Sequence, residues 1–320
     1  MNKRYYKIFI LLLFTLVLTI LGSITIGRYP INLFNMNSVE HALFFNHRLP
    51  RIILACIVGA SLSCAGATYQ GVFKNPMASP DILGASSGAA FGAAIAILLD
   101  MDSSLIIVFA FVFSLGTVSL VMFISKKAKG KKPISLILTG IMLSSLVSSG
   151  TSFIKLIADP EDQLPEITYW QMGSLNGALP KDIFFSIIPV LLGIVPLLII
   201  RWQINLLTLS EDEAYTMGIN IKKTRFIIII CSTLLTAASV AVSGVIGWIG
   251  LVIPHLSRKL VGNNYRYLLP VSITLGAIFL LFIDNISRNL YTTEIPIGIL
   301  TSFVGAPFFI YLITKDGERH

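Results

Sequence analysis

LPRIILACIVGASLSCAGATYQGVFKNPMASPDILGASSGAAFGAAIAILL, residues 49–99, holds two apolar runs, 49–71 and 82–99. Each is long enough to cross a ~30 Å hydrocarbon layer as a helix. Between them, Asn75-Pro76 and Ser79-Pro80 push the residues before each proline out of helical geometry, so the chain has to break there. Gly84, Gly88 and Gly92 then recur every fourth residue, a ridge that lets a neighbouring backbone come close. Cys56 and Cys64 lie inside the first run, and Cys231 inside a later one, without metal-ligand or disulfide spacing; they read as small packing residues.

The same alternation of apolar run and break continues in both directions. Of the 320 residues 55% are hydrophobic and 12% charged, with a mean hydropathy of +0.82, whereas soluble domains carry about 25% charged residues. A soluble fold is excluded, and an all-α polytopic membrane protein is expected, residues 1–320 forming a single transmembrane domain. Ten helices are expected, at 7–27, 49–71, 82–99, 104–124, 134–156, 183–201, 225–243, 249–262, 267–286 and 296–314. The eighth is interrupted by Gly250 and Pro254 and preceded by Gly244 and Gly247. Lys3, Arg4 and Lys7 precede the first run, which is long and has no A-x-A site after it, so an uncleaved span is expected.

The net charge of +8 is spread in short clusters between apolar runs, the pattern of a topology signal rather than of a nucleic-acid surface. On the ten-span assignment 18 Lys and Arg fall on one side and 6 on the other, which places both termini in the cytoplasm. The densest cluster is Lys126, Lys127, Lys129, Lys131 and Lys132, joined by Lys222, Lys223, Arg225, Arg258, Lys259, Lys315 and Arg319. Asp159, Glu161, Asp162 and Glu166 collect outside. Arg48, Arg51 and Arg288 break the rule, being external cations. They read either as snorkelling or ion-paired helix-end residues, Arg288 with Asp284 at i, i+4, or as a docking site for an acidic external partner. A basic residue, an apolar helix, a Gly-rich break and a proline occur at Arg51–Pro76 and again, with opposite orientation, at Arg225–Pro254, a faint echo of an inverted repeat.

Two polar features stand out. In the fifth run Ser144, Ser148 and Ser152 share a stripe, with Ser145, Ser149, Thr139 and Thr151 nearby; it suits helix packing or a wet cavity. Residues 202–224 form a cytoplasmic segment longer than a turn. There Ser210 caps a helix over about 211–217, Glu213 completes a capping box and Gly218 supplies the left-handed stop. Ala214, Met217 and Ile219 give it an apolar side, suited to a groove on another protein or to the membrane surface. There is no GxxxxGK[ST] phosphate loop, and His41, His47, His255 and His320 show no ligand spacing, so no metal site is expected. Catalytic polar pairs at membrane depth and coupling-ion carboxylates are also missing, which argues against an intramembrane enzyme and against an ion-coupled carrier.

RLPRIILACIVGASLSCAGATYQGVFKNPMASPDILGASSGA (48–89), GVIGWIGLVIPHLSRKL (244–260) and EIPIGILTSFVGAPFFIYLI (294–313), in this order, resemble the FecCD-type permeases of binding-protein-dependent ABC importers for iron-siderophores, haem, cobalamin and related chelates. The resemblance implies the type II importer permease architecture in a bacterial inner membrane, pairing with a second permease copy or paralogue. It also implies two cytoplasmic ATPase subunits, which hold the ATP and Mg while this chain binds no cofactor itself, and an external substrate-binding protein. By the same resemblance, Ser210, Glu211, Glu213, Ala214, Met217 and Gly218 couple to the ATPase. Arg48, Arg51 and Arg288 dock the binding protein, and Ser145, Ser148, Ser149 and Ser152 line the path. Asn75, Pro76, Pro80, Gly84, Gly88, Gly92, Gly247, Gly250 and Pro254 carry the structural motif.

Overall fold

The computed structural model describes residues 3–27, 29, 36–128 and 132–316. Lys129, Lys131 and Arg319 of the expected cytoplasmic clusters lie outside them, as do the side chains of Lys132, Glu211 and Lys315.

The described residues form helices without strands. In chain order they are α1 (Lys3–Thr25), α2 (Ser38–Leu43), a π-helical turn (Phe44–Arg48), α3 (Leu49–Val72), α4 (Ala85–Leu98), α5 (Ser103–Lys127), α6 (Lys132–Ile157), α7 (Gln163–Met172) and α8 (Pro180–Ile199). There follow α9 (Arg201–Leu207), α10 (Glu211–Thr216), α11 (Ile221–Ser243), α12 (Ile249–Val261), α13 (Tyr265–Asn289) and α14 (Ile297–Asp316). Each of the ten expected runs falls on a helix. Seven of these, counting Ser38–Val72 as one, are long and apolar enough to cross a membrane, and α4 and α14 are shorter apolar helices. The expected eighth run became α12, only 13 residues long.

Helices α3, α11 and α13 form the centre, and α1, α6 and α8 lie outside with most of their surface uncovered. Leucine, isoleucine and phenylalanine on those outer helices (Leu11, Phe14, Leu146, Phe184) face outward, as lipid-facing residues do. Small residues let the centre close. Gly59 of α3 sits against the Gly276 carbonyl of α13, and Gly66 of α3 against the Gly250 carbonyl of α12. The two Gly-rich segments of the sequence echo thus meet face to face, with the Pro80 ring wedged onto Gly250. Hydroxyls bind α3 to α11, Thr68 Oγ1 to Ser232 Oγ at 2.8 Å and Tyr69 OH to Thr233 Oγ1 at 3.0 Å. Gly66→Val would wedge α3 away from α12, with an overpacking penalty of about 1–3 kcal/mol. The expected result is a lower unfolding midpoint in detergent; an unchanged midpoint would contradict this packing.

The break at 73–84 is built as expected, with Asn75 Oδ1 accepting the Met77 N–H at 2.9 Å. The glycine ridge faces α5, Gly84 and Gly88 both lying against Thr117. Gly88 and Gly92 press on the Phe113 and Phe109 carbonyls of α5, but Gly84 is the N-cap of α4 at φ +79°, a backbone conformation that favours glycine. Pro254 lies buried within α12.

Candidate functional site

Four places carry the expected functional residues. The first is α10. Ser210 Oγ accepts the Glu213 N–H at 3.3 Å, and Glu213 Oε2 accepts the Ser210 N–H at 3.1 Å, the reciprocal capping box the sequence predicts. Gly218, at φ +79°, ends the turn. Its apolar side is oriented differently from the expectation: Ala214 and Ile219 turn inward and pack with Leu206 and Leu207, because the six-residue helix has to seal the core beneath it. Tyr215 (77% exposed) and Met217 (56%) are what it presents outward. It stands on the rim of a cleft of about 1350 Å³ shared with Lys74, Asp212 and the start of α11.

The Glu213 carboxyl is held below the usual carboxylate range, first by the Ser210 N–H and then by the Ser210 hydroxyl. A depressed folded pKa means that the box is present above the unfolded value, about pH 4.3, and is lost as pH falls through the folded one. Amide protection at Ser210, whose N–H the Glu213 carboxylate accepts, is therefore expected, after correction for intrinsic exchange, to hold at neutral pH and to fall only below the ordinary carboxylate range. In Glu213→Gln this acid step should vanish; its persistence would assign it elsewhere.

The second place is the group of external arginines, where the structure shows the ion-paired arrangement, Arg288 with Asp284 included. Arg51 and Arg288 are each 7% exposed. Arg51 Nε binds Asp284 Oδ1 at 2.9 Å, and its Nη1 binds Glu294 Oε2 at 2.9 Å. Arg288 Nε lies 3.1 Å from Asp284 Oδ2, and its Nη2 donates to Ser23 Oγ at 2.8 Å. The four charges tie α1, α3, α13 and the segment before α14 together. A guanidinium group that turned from this network to an outside carboxylate would leave Asp284 with less compensation. Arg48 alone of the three keeps partial exposure, while donating to the Ile24 and Tyr29 carbonyls at 3.0 and 2.7 Å.

The third place is the serine stripe. Ser145, Ser148, Ser149 and Ser152 are all exposed on the open face of α6, and Ser149 and Ser152 donate back to the Ser145 and Ser148 carbonyls at 3.0 and 3.1 Å. They do not pack within the chain. Ser148 and Ser152 border a niche of about 340 Å³ that also receives Asp81, Ser86, Lys155 and Gln171, residues the sequence reading passed over.

The fourth place adjoins it, an apolar niche of about 600 Å³ sharing Gln171 and Val245 and lined by Met172, Gly247 and Phe303. The strained loop ahead of α12 shapes it, with Gly244 at φ +65° and Trp248 at φ +69°, a rare conformation for a bulky residue. Gly305 of α14 fits against the Trp248 ring, and the Ile297 N–H donates to the Gly173 carbonyl at 2.8 Å.

The molybdate import permease protein MolB of Haemophilus influenzae is 40% identical, over 97% of this chain and 96% of that protein. The hemin transport permease protein HmuU of Yersinia pestis is 35% identical over 96% and 95%. A solved structure described as an inward-facing conformation of a metal-chelate-type ABC transporter matches at TM-score 0.91 and 41% identity, covering 97% of this chain and 99% of that one. These relatives are permease subunits of ABC transporters. The FecCD transport family matches residues 10–315, and the chain belongs to it, as a multi-pass membrane permease whose ATPase is a separate subunit.

Proposed function

We propose that this chain moves an iron-siderophore or similar metal chelate inward across a bacterial inner membrane, both termini lying in the cytoplasm. Two permease chains, copies or paralogues, face each other across the path. Two ABC ATPases receive α10 in their clefts and supply ATP and Mg, and an external binding protein delivers the cargo.

The observation that carries this reading is the open face of α6, where Ser145, Ser148, Ser149 and Ser152 stand among uncovered Leu138, Ile141 and Met142. Hydroxyls on a membrane-length helix are expected to meet a neighbouring helix or a wet cavity rather than lipid. A second permease opposite this face supplies both. At the cytoplasmic end, exposed Tyr215 and Met217 give α10 the apolar tip that a partner groove accepts. The high likeness to a metal-chelate-type transporter supports the cargo class.

Co-expression with the neighbouring ATPase and purification in mild detergent tests the assembly. The reading expects one complex with two permease chains and two ATPases. A lone permease chain with no bound ATPase contradicts it.

A further inference from the structure

The niche beside α6 has a charge pattern that the path alone does not demand. Lys155 lies in the last turn of a helix otherwise open to lipid or a partner, where an unpaired ammonium is costly. Its Nζ donates to the Gln171 side-chain oxygen, which turns the ammonium toward α7 and the niche rather than along the apolar surface. Ion pairs among the described residues join arginines to Asp284 and Glu294 and do not include Lys155.

One carboxylate shares the niche, that of Asp81. Its Oδ1 accepts the Ser86 N–H at 2.7 Å, so it is turned to the first turn of α4, whose partial positive charge offsets part of its own. What remains toward the opening is an ammonium with the Ser148 hydroxyl on the exposed face of α6, beside Ser152, whose own hydroxyl is bound to the Ser148 carbonyl. At Gln171 and Val245 the niche meets the apolar one carrying Met172 and Phe303. A charged spot thus adjoins a shelf fit for an organic shell.

We propose that this niche is an anion-holding station on the path. Lys155, oriented by Gln171 and flanked by Ser148 and Ser152, receives an anionic oxygen of the passing cargo, either a chelator carboxylate or an inorganic oxyanion. The inference rests on the permease reading and adds to it a substrate class, anionic rather than neutral. An ammonium acts as a point charge, so arginine substitutes for it here while glutamate repels the same oxygen.

The test uses the complete transporter with its ATPase and binding protein in proteoliposomes, scoring uptake of molybdate, ferric citrate and a neutral ferric trihydroxamate separately. Lys155→Glu is expected to lower uptake of the anionic probe on the order of tenfold, the loss of one charge-assisted contact. Lys155→Arg should retain it. Molybdate uptake sensitive to Lys155→Glu identifies an oxyanion as the source, and ferric citrate uptake so affected identifies a chelator carboxylate. Co-elution of the variant chain with the ATPase separates a lost contact from a lost fold; for a variant that does not co-elute, Lys155→Gln takes its place and is expected to lose anionic uptake likewise. Anionic uptake equal in wild type and Lys155→Glu overturns the station alone, as does a transporter that carries only the neutral chelate. Uptake of none of the three by the wild type overturns the permease reading for these cargoes and takes the station with it.

Discussion

Replacing Asp284 with asparagine is expected to destabilise the chain by about 3–5 kcal/mol, the cost of removing one partner from a buried ion pair. Asp284 is fully buried and is the carboxylate shared by Arg51 and Arg288, through Oδ1 at 2.9 Å and Oδ2 at 3.1 Å. Without it two largely buried guanidinium groups have only Glu294 to offset them. The separation of α3 from α13 should relax first, since Arg51 and Arg288 come from those two helices. Thermal unfolding in detergent measures the effect. Asp284→Asn with Arg288→Met removes one charge of each sign and should recover part of the loss. An unchanged midpoint in the single variant would show that these groups are hydrated and that their pairing does not hold the helices together.

Gly218→Pro is expected to abolish cargo-stimulated ATP hydrolysis while the transmembrane core stays folded. Gly218 holds φ at +79°, whereas proline fixes it near −65°, so the turn after α10 cannot form. The cost, about 1–3 kcal/mol or more of local strain, falls on a six-residue helix otherwise held by its Ser210–Glu213 box. Uptake should fall by on the order of tenfold or more, since each ~1.4 kcal/mol is a factor of ten in rate. Gly218 has open space around it, so the variant strains the backbone without a clash in the core. Stimulated hydrolysis at the wild-type level would remove α10 from the coupling pathway.

What the sequence reveals about this protein divides by distance along the chain. The helices and the break at 73–84 are written in local terms, as apolar run lengths and X-Pro steps. The α10 cap is equally local, with Ser210, Glu213 and Gly218 within nine residues. The direction that cap faces is not local: Ala214 turns inward because Leu206 and Leu207 wait beneath it, and one helical turn and a half has too weak a periodicity to say so. The Asp284–Arg288 pair is visible as an i, i+4 spacing. The link from Arg51 to Asp284 and Glu294 spans more than 230 residues and emerges only when α3 and α13 are laid side by side. Asp81 and Lys155 escape for the same reason, since each has an unremarkable neighbourhood in the chain and their niche exists only where α4, α6 and α7 converge. The glycine ridge is local as well, with Gly84 opening it as the N-cap of α4 and facing Thr117 of α5 as Gly88 does.

The most direct test of the central claim is ATP hydrolysis and uptake measured together in proteoliposomes holding this chain, its partner ATPase and its binding protein, with chelate supplied outside. The account expects hydrolysis stimulated by loaded binding protein and chelate accumulating inside at the expense of ATP, with no dependence on an ion gradient. Uptake by this chain alone, driven by a proton or sodium gradient and indifferent to the ATPase, would contradict it.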